Sequence, residues 1–195
     1  MGRTRLPVPM SALSFKMVRR MHIASTLIAG GVRPVNVAAA TRLDRKYLSN
    51  MWREVQGFPA RGQTPLYAHS MLKCNRDAKH AAVFVAVLQK YAEPGDLQDP
   101  AFFLYCYRIF SQITTIKRLS MEQSFYVWRD FQKGYLRMQH CTRCKGQYLY
   151  SDHHDAPDTL RNCQICKTRN PRGGVHTAKQ TGALEKPLEK EGLVQ

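Results

Sequence analysis

The 195-residue sequence predicts a mostly α-helical protein. It divides into a helical domain over residues 1–136 containing a helix-turn-helix-like segment at 35–56, a small four-cysteine module over 137–170, and a flexible tail over 171–195. Three observations carry this reading. Apolar residues recur at helical spacing through most of the first 133 positions, the periodicity that lets one stripe of a helix face a core. Beyond Gly134 the pattern gives way to short polar segments that hold four of the six cysteines. After Cys166 the chain, KTRNPRGGVHTAKQTGALEKPLEKEGLVQ, is rich in Gly and Lys and poor in apolar residues, so little burial is on hand to offset the entropy of ordering it.

The elements follow in order. Ser11 opens a first helix, amphipathic through Met17, Met21, Ala24 and Ile28, which Gly30-Gly31 stops. Residues 35–57, VNVAAATRLDRKYLSNMWREVQG, read as a short helix, a tight turn and a second helix capped by Asp44 and ended by Gly57. The Gly- and Pro-bearing stretch GFPARGQTP, residues 57–65, is a linker. From about Ser70 to Tyr91 the spacing of Met71, Ala78, Ala81, Ala82, Val85 and Leu88 predicts another helix, broken by EPGD. Asp99-Pro100 starts the next, AFFLYCYRIFSQI, whose near-continuous apolarity predicts deep burial. Ser120 and Gln123 fit a capping box for a last helix running to about Lys133.

Composition sets the class of partner. Hydrophobic residues make up 44% of the chain, enough for a packed core, while 30 Lys and Arg against 14 Asp and Glu give a formal charge of +16 and a pI near 9.9. Such an excess draws polyanions, because each cation set against a phosphate releases a condensed counterion. Nucleic acid is the first candidate; the other readings are a well-solvated basic surface and a charge neutralised by an acidic partner subunit. The longest comparable apolar run is AAVFVAVL, residues 81–88, short of the ~20 residues a membrane span needs. The basic start lacks the apolar stretch of a signal peptide, so the expected location is the cytoplasm. Paired cysteines in that reducing compartment are more often metal ligands or redox groups than disulfides.

The cysteines stand as C-x₂-C-x₁₈-C-x₂-C at Cys141, Cys144, Cys163 and Cys166. Each C-x-x-C turn aims two sulfurs at one ion, and two turns complete a tetrahedral Cys₄ site with spacing suited to structural zinc. Gly146 suits the tight turn of a zinc knuckle. A saturated thiolate shell leaves no position for water, so one zinc per chain would be structural. The spacing also admits an iron–sulfur cluster, and less readily a redox pair. His140, His153 and His154 lie close enough in sequence to replace a cysteine but read better as polar loop residues. Cys74 and Cys106 fall in helical stretches as core or surface thiols.

Residues 37–52 have the apolar spacing of a helix-turn-helix, with Val37 and Ala38 on the first helix, Leu43 inside the turn, and Leu48 with Met51 or Trp52 packing the second helix back. The exposed face would then present Arg45, Lys46, Tyr47, Ser49, Asn50 and Arg53, beside Arg42 in the turn. These are groups able to meet phosphates or base edges in a major groove. Arg42 stands where many such motifs carry a turn glycine, and any αα-hairpin can share the apolar spacing.

The run T-R-L-D-R-x-x-L-x-x-M-W-R-E-V-x-G-x-P-x-x-G-x-x-P at 41–65, followed by a helical middle and a late C-x₂-C…C-x₂-C, closely resembles the bacterial flagellar transcriptional activator family FlhC. The resemblance covers about residues 20 to 170, and the order of the two motifs is more specific than either alone. It implies a mostly helical protein that binds one zinc through Cys141, Cys144, Cys163 and Cys166. It also implies assembly with a smaller helical FlhD-like partner into a hetero-oligomer that binds promoter DNA of flagellar operons and recruits RNA polymerase. The stretch around 41–54 matches the family's candidate DNA-contacting region.

No Ser/His/Asp set, phosphate loop or supported carboxylate pair stands out, so the sequence does not read as an enzyme. Two other readings remain at this point. One is an RNA-binding zinc-ribbon protein stacking bases on Tyr148 and Tyr150. The other is a non-catalytic assembly or adaptor protein whose charge meets an acidic partner.

Overall fold

The computed structural model describes residues 12–113 and 119–169. The tail expected over 171–195 and the helix-opening Ser11 lie outside the described residues. Among the described residues seven α-helices and one hairpin follow in order: α1 (Ala12–Ala29), α2 (Pro34–Thr41), α3 (Arg45–Gln56), α4 (Asn75–Tyr91), α5 (Pro100–Ile113), α6 (Met121–Gln132), β1 (Arg137–His140), β2 (Gln147–Tyr150) and α7 (Asp158–Arg161).

Helices α1, α2 and α3 pack on one another, and α1 also meets α5. Ile23, Ala24, Leu27 and Ile28 are buried there, but Met17 and Met21, expected on the packing stripe, are exposed together with Phe15 and Val18. Among the described residues, the buried side chains of α1 all come from its second half. Gly31 ends the helix in a left-handed turn at φ 84°, and the Gln56 amide donates to the Ile28 carbonyl at 2.8 Å, tying the end of α3 to the end of α1. Asn36 of α2 donates to the Tyr126 hydroxyl of α6 at 2.9 Å in the buried interior, so the three-helix unit is joined to the rest by a satisfied polar contact.

Helices α4, α5 and α6 enclose the centre of the core. Phe84, Phe103, Phe110, Phe125 and Trp128 form a chain of ring contacts with centroids 5.1 to 5.9 Å apart, the range in which edge-to-face and offset aromatic pairs gain beyond area burial. Cys106 belongs to this core, and burial, followed by the nearby Asp96 carboxylate, pushes its thiol up to about 12. The apolar α5 is buried on one face only, since Tyr105 and Ile113 lie more than half exposed. Both capping expectations are met: Asp99 accepts from the Ala101 N–H at 2.8 Å, and Ser120 and Gln123 exchange their two capping-box bonds at 3.0 and 3.1 Å.

Helix α4 begins at Asn75, later than the sequence periodicity suggests. Residues Ala68–Met71 form a separate 3-10 turn, held where the buried Asp130 carboxylate accepts from the Ala68 N–H at 2.6 Å. Cys74 is the exposed N-cap of α4, its sulfur accepting from the Asp77 N–H at 3.4 Å. The linker before that turn lies along the surface on two arginines. Arg33 donates to the Gly62 and Gln63 carbonyls at 3.2 and 2.6 Å, and Arg129 to the Leu66 carbonyl at 2.5 Å.

β1 and β2 pair antiparallel in the register Arg137↔Tyr150 to His140↔Gln147, and the hairpin packs on α4. Leu149 and Leu160 belong to the same core cluster as the helices. Asn75 donates to the Gln164 carbonyl at 3.2 Å and Thr159 to the Leu72 carbonyl at 2.8 Å, fixing the cysteine-bearing segment against the start of α4.

Candidate functional site

The two cysteine pairs sit on two copies of one turn. Residues 141–146 close the β1–β2 hairpin, with Cys141 N–H donating to the Gly146 carbonyl at 2.9 Å and Lys145 N–H to the Cys141 carbonyl at 3.0 Å. Residues 163–168 repeat the pattern, Cys163 N–H to Thr168 at 3.0 Å and Lys167 N–H to Cys163 at 2.8 Å, inside an isolated bridge between Asn162 and Arg169. In each copy the lysine after the second cysteine is left-handed, at φ 58°.

These turns bring all four sulfurs within 4.8 Å of one another, with Cys141–Cys166 at 3.4 Å and Cys144–Cys163 at 3.7 Å. A tetrahedral ion with metal–sulfur bonds of ~2.3 Å sets sulfur–sulfur edges of about 3.8 Å, so the quartet is a set able to hold a metal ion. The thiols of the quartet differ in how readily they ionise. The Thr168 hydroxyl and then its backbone N–H draw Cys166 down to about 6. At Cys144 the Gly146 N–H acts in the same direction, yet loss of water and the three neighbouring thiols push the group up to about 11. Neighbouring thiolates oppose one another's ionisation, and a divalent cation would remove that opposition.

Gly146 has a different role from the one its position suggests. The left-handed residue is Lys145, and what Gly146 supplies is space, since a Cβ there would come within 2.6 Å of Ile165 Cδ1. The two turns thus approach closely at that point. Sequence reasoning did not find Gln164, which is buried and completes the outer edge of β2: its amide accepts from Leu149 N–H at 2.9 Å and donates to the carbonyls of Leu149 at 2.7 Å and Thr159 at 2.6 Å. A glutamine between two cysteines of a C-x-x-C pair carries no pattern that would flag it. Tyr148 is fully buried with Cys141 and Cys163, its hydroxyl donating to Gln139 at 2.9 Å, so it has no face on which a base could stack.

The histidines do not reach the sulfurs' role. His140 is exposed beside Gln147. His153 stacks between Tyr67 and His154, centroids 4.4 Å from each, and lies 4.7 Å from the buried His69. Ligand atoms of His153, His154 and Asp155 also fall within 4.8 Å of one another, but they already serve each other: His154 Nε2 is 3.0 Å from the Asp155 carboxylate, and His153 Nδ1 accepts from the Asp155 N–H at 3.2 Å.

The second set of candidate residues lies on α3 and the turn before it. Asp44 caps α3 by accepting from the Tyr47 N–H at 2.8 Å, and Gly57 ends it at φ 78°. Val37, Leu48 and Trp52 are buried and Leu43 and Met51 pack partly against them. Arg42, Arg45, Lys46, Tyr47, Asn50 and Arg53 are exposed, and Ser49 is half-buried with its hydroxyl on the Arg45 carbonyl at 2.8 Å. Arg42 is itself left-handed, at φ 57°, with its N–H on the Ala38 carbonyl. The chain therefore makes the bend that glycine makes easily, but with a cation at the bend.

A family model described as flagellar transcriptional activator (FlhC) matches residues 12–180. The chain belongs to the FlhC family. Proteins named flagellar transcriptional regulator FlhC resemble it along most of both lengths. That of Paraburkholderia atlantica is 24% identical over 84% of this chain and 76% of its own length. That of Thauera aminoaromatica is 23% identical over 86% and 87%, and that of Gallionella capsiferriformans 24% over 83% and 90%. Membership in FlhC places the chain among transcriptional regulators, a family that does no catalysis, and the match takes in both the quartet and the α2–α3 segment.

Proposed function

We propose that this protein is the DNA-binding subunit of a transcriptional activator. With an FlhD-like helical partner it binds promoter DNA of flagellar or motility operons in the cytoplasm and promotes transcription by RNA polymerase. In this reading α2, its turn and α3 act as a helix-turn-helix, with Arg42, Arg45, Lys46, Tyr47, Ser49, Asn50 and Arg53 as the candidate contact set. The observation that carries it is the joint one: a family of flagellar activators and a two-helix unit that buries Val37, Leu48 and Trp52 while its cations stay in water. A formal charge of +16 supplies the long-range attraction.

One Zn²⁺, held by Cys141, Cys144, Cys163 and Cys166, is the metal this donor set favours. Four thiolates suit a soft or borderline ion, and closed tetrahedral sulfur shells are the structural form of zinc sites. When bound, the ion neutralises the quartet and cross-links its two turns; the chain's residues do the recognition. The FlhD-like partner has support in the stretch 15–21 of α1, where Phe15 is 62%, Met17 47%, Val18 54% and Met21 38% exposed, an apolar strip of the kind that marks contact sites.

The test is duplex binding by the purified chain, with and without its co-expressed partner, on a flagellar promoter and on a scrambled duplex at ~0.15 M salt, where nonspecific phosphate attraction is already weakened. The expected result is discrimination of roughly a thousandfold or more by the complex. Equal binding to both duplexes, or to neither, refutes the reading.

A further inference from the structure

The exposed surface of α3 has two parts. At ~100° per residue, Arg45, Ser49 and Arg53 stand in one row along an edge of the helix, whereas Lys46 and Asn50 lie farther round, more nearly opposite the buried Leu48 and Trp52. The 45/49/53 row is one wall of a cleft of about 190 Å³, closed by the linker at Gly62 and Thr64 and by the start of α2 at Val35. That volume equals about six waters at ~30 Å³ each, room for one phosphate group and part of its hydration.

The cleft is fixed from behind. Arg33 holds the linker by its bonds to Gly62 and Gln63 and is in turn ion-paired with the half-buried Glu122 at 3.0 Å, so its guanidinium is engaged and its role is positioning. The Arg45 and Arg53 side chains, by contrast, have no protein partner among the described residues. Guanidinium groups are weakly hydrated, always charged and shaped to take phosphate oxygens in pairs. No carboxylate lines this cleft.

We propose that the cleft between α3 and the 59–64 linker seats one backbone phosphate of the bound duplex on Arg45 and Arg53, leaving base reading to Lys46 and Asn50. This rests on α3 being a DNA-contacting helix. Lysine and asparagine are residue types that match guanine and adenine edges in the major groove, while a phosphate held at the side of the helix fixes its register without reading sequence. The linker then belongs to the DNA-binding surface, a part that the two-helix pattern alone does not include.

The experiment compares two double variants, Arg45→Ala with Arg53→Ala and Lys46→Ala with Asn50→Ala, in the complex with the co-expressed partner. Affinity for the promoter and scrambled duplexes is measured from 50 to 200 mM salt. The arginine variant is expected to lose affinity by the same factor on both duplexes, with a log–log salt slope shallower by about 1. The Lys46/Asn50 variant is expected to lose promoter discrimination by roughly 10- to 100-fold. If the arginine variant instead loses discrimination with its salt slope intact, the phosphate seat is wrong while α3 still reads DNA. If neither variant changes binding to either duplex, α3 is not the DNA surface and the seat falls with it. A third arm titrates inorganic phosphate into the DNA-free complex. A saturable isotherm that the arginine variant abolishes while its duplex affinity and salt slope stay at wild-type values would assign the seat to a free phosphate compound and overturn the duplex as its source.

Discussion

Replacing Gln164 by leucine keeps a side chain of comparable bulk at a buried position and removes its amide. In the native arrangement that amide takes the place of a third strand: it accepts from Leu149 N–H at 2.9 Å and donates to Leu149 O at 2.7 Å, and Leu149 is fully buried. Leu149 is opposite Met138 in the hairpin register, and its own N–H and carbonyl point away from β1 to the amide, so β1 cannot recover them. Leaving two buried backbone groups unpaired costs about 1–3 kcal/mol each, or about 2–6 kcal/mol together, less any gain from the new apolar contact. For a domain of this size ~1 kcal/mol moves the unfolding midpoint by ~2–4 °C, so Q164L should unfold roughly 5–15 °C below wild type. The assay is thermal unfolding of the zinc-loaded chain, followed by the rate at which a chelator removes the metal, which should rise. An unchanged midpoint and an unchanged chelation rate would refute the assignment of Gln164 as the edge of β2.

Cys163→Ser should abolish stoichiometric metal binding, read as zinc per chain, and increase amide exchange in residues 137–169; unchanged zinc content would end the Cys₄ assignment. Arg42→Gly should raise the unfolding midpoint, because a left-handed L-residue costs about 1 kcal/mol or more and glycine none, while duplex binding weakens through loss of a cation; a lower midpoint contradicts the strain. Loss of water on burial, then the nearby His153, lowers the pKa of His69 below 6.5. A group with a depressed folded pKa binds fewer protons folded than unfolded, so for this cation-forming group stability falls as pH drops below about 6.5. Unfolding midpoints at pH 7.5 and 5.5 should differ less in His69→Phe, which keeps a ring beside Tyr67, and an equal difference in both proteins would exclude His69 as the cause.

Much of the helical layout was readable because local chemistry and tertiary packing agree there. Asp44, Asp99, Ser120 and Gly57 all sit at helix ends and do what those residue types do. The readings that failed are those that needed a partner distant in sequence. The start of α4 is shifted by Asp130, 62 residues from the Ala68 N–H it takes, and no local periodicity encodes that bond. Met17 and Met21 satisfy a helical spacing yet stay exposed among the described residues, because spacing shows an apolar stripe and not what covers it. At the cysteine turns the spacing indicated the four sulfurs, but it assigned the bend to Gly146 when Lys145 and Lys167 adopt it. Gln164 was invisible for the same reason as Asp130, since its importance lies in what β2 presents to it.

The cysteine-bearing segment is too slight to stand alone: two four-residue strands and one four-residue helix fall well short of an independently stable sheet. Side chains alternate across a strand, and β2 uses both faces. Tyr148 packs with Cys141 and Cys163, while its neighbour Leu149 joins the core of α4, α5 and α6. The strand is therefore a joint, with the thiol cluster on one side and the helical core on the other. Because each side holds the same four residues in place, a metal bound at the quartet would contribute to the packing of Leu149 and Leu160 as well as to its own turns, and metal binding would be coupled to folding of the segment. Loss of the ion should then be felt at Leu72 and Asn75, which bond directly to Thr159 and Gln164. A structural ion so placed would stabilise the start of α4 and act apart from α3, the helix proposed to meet DNA.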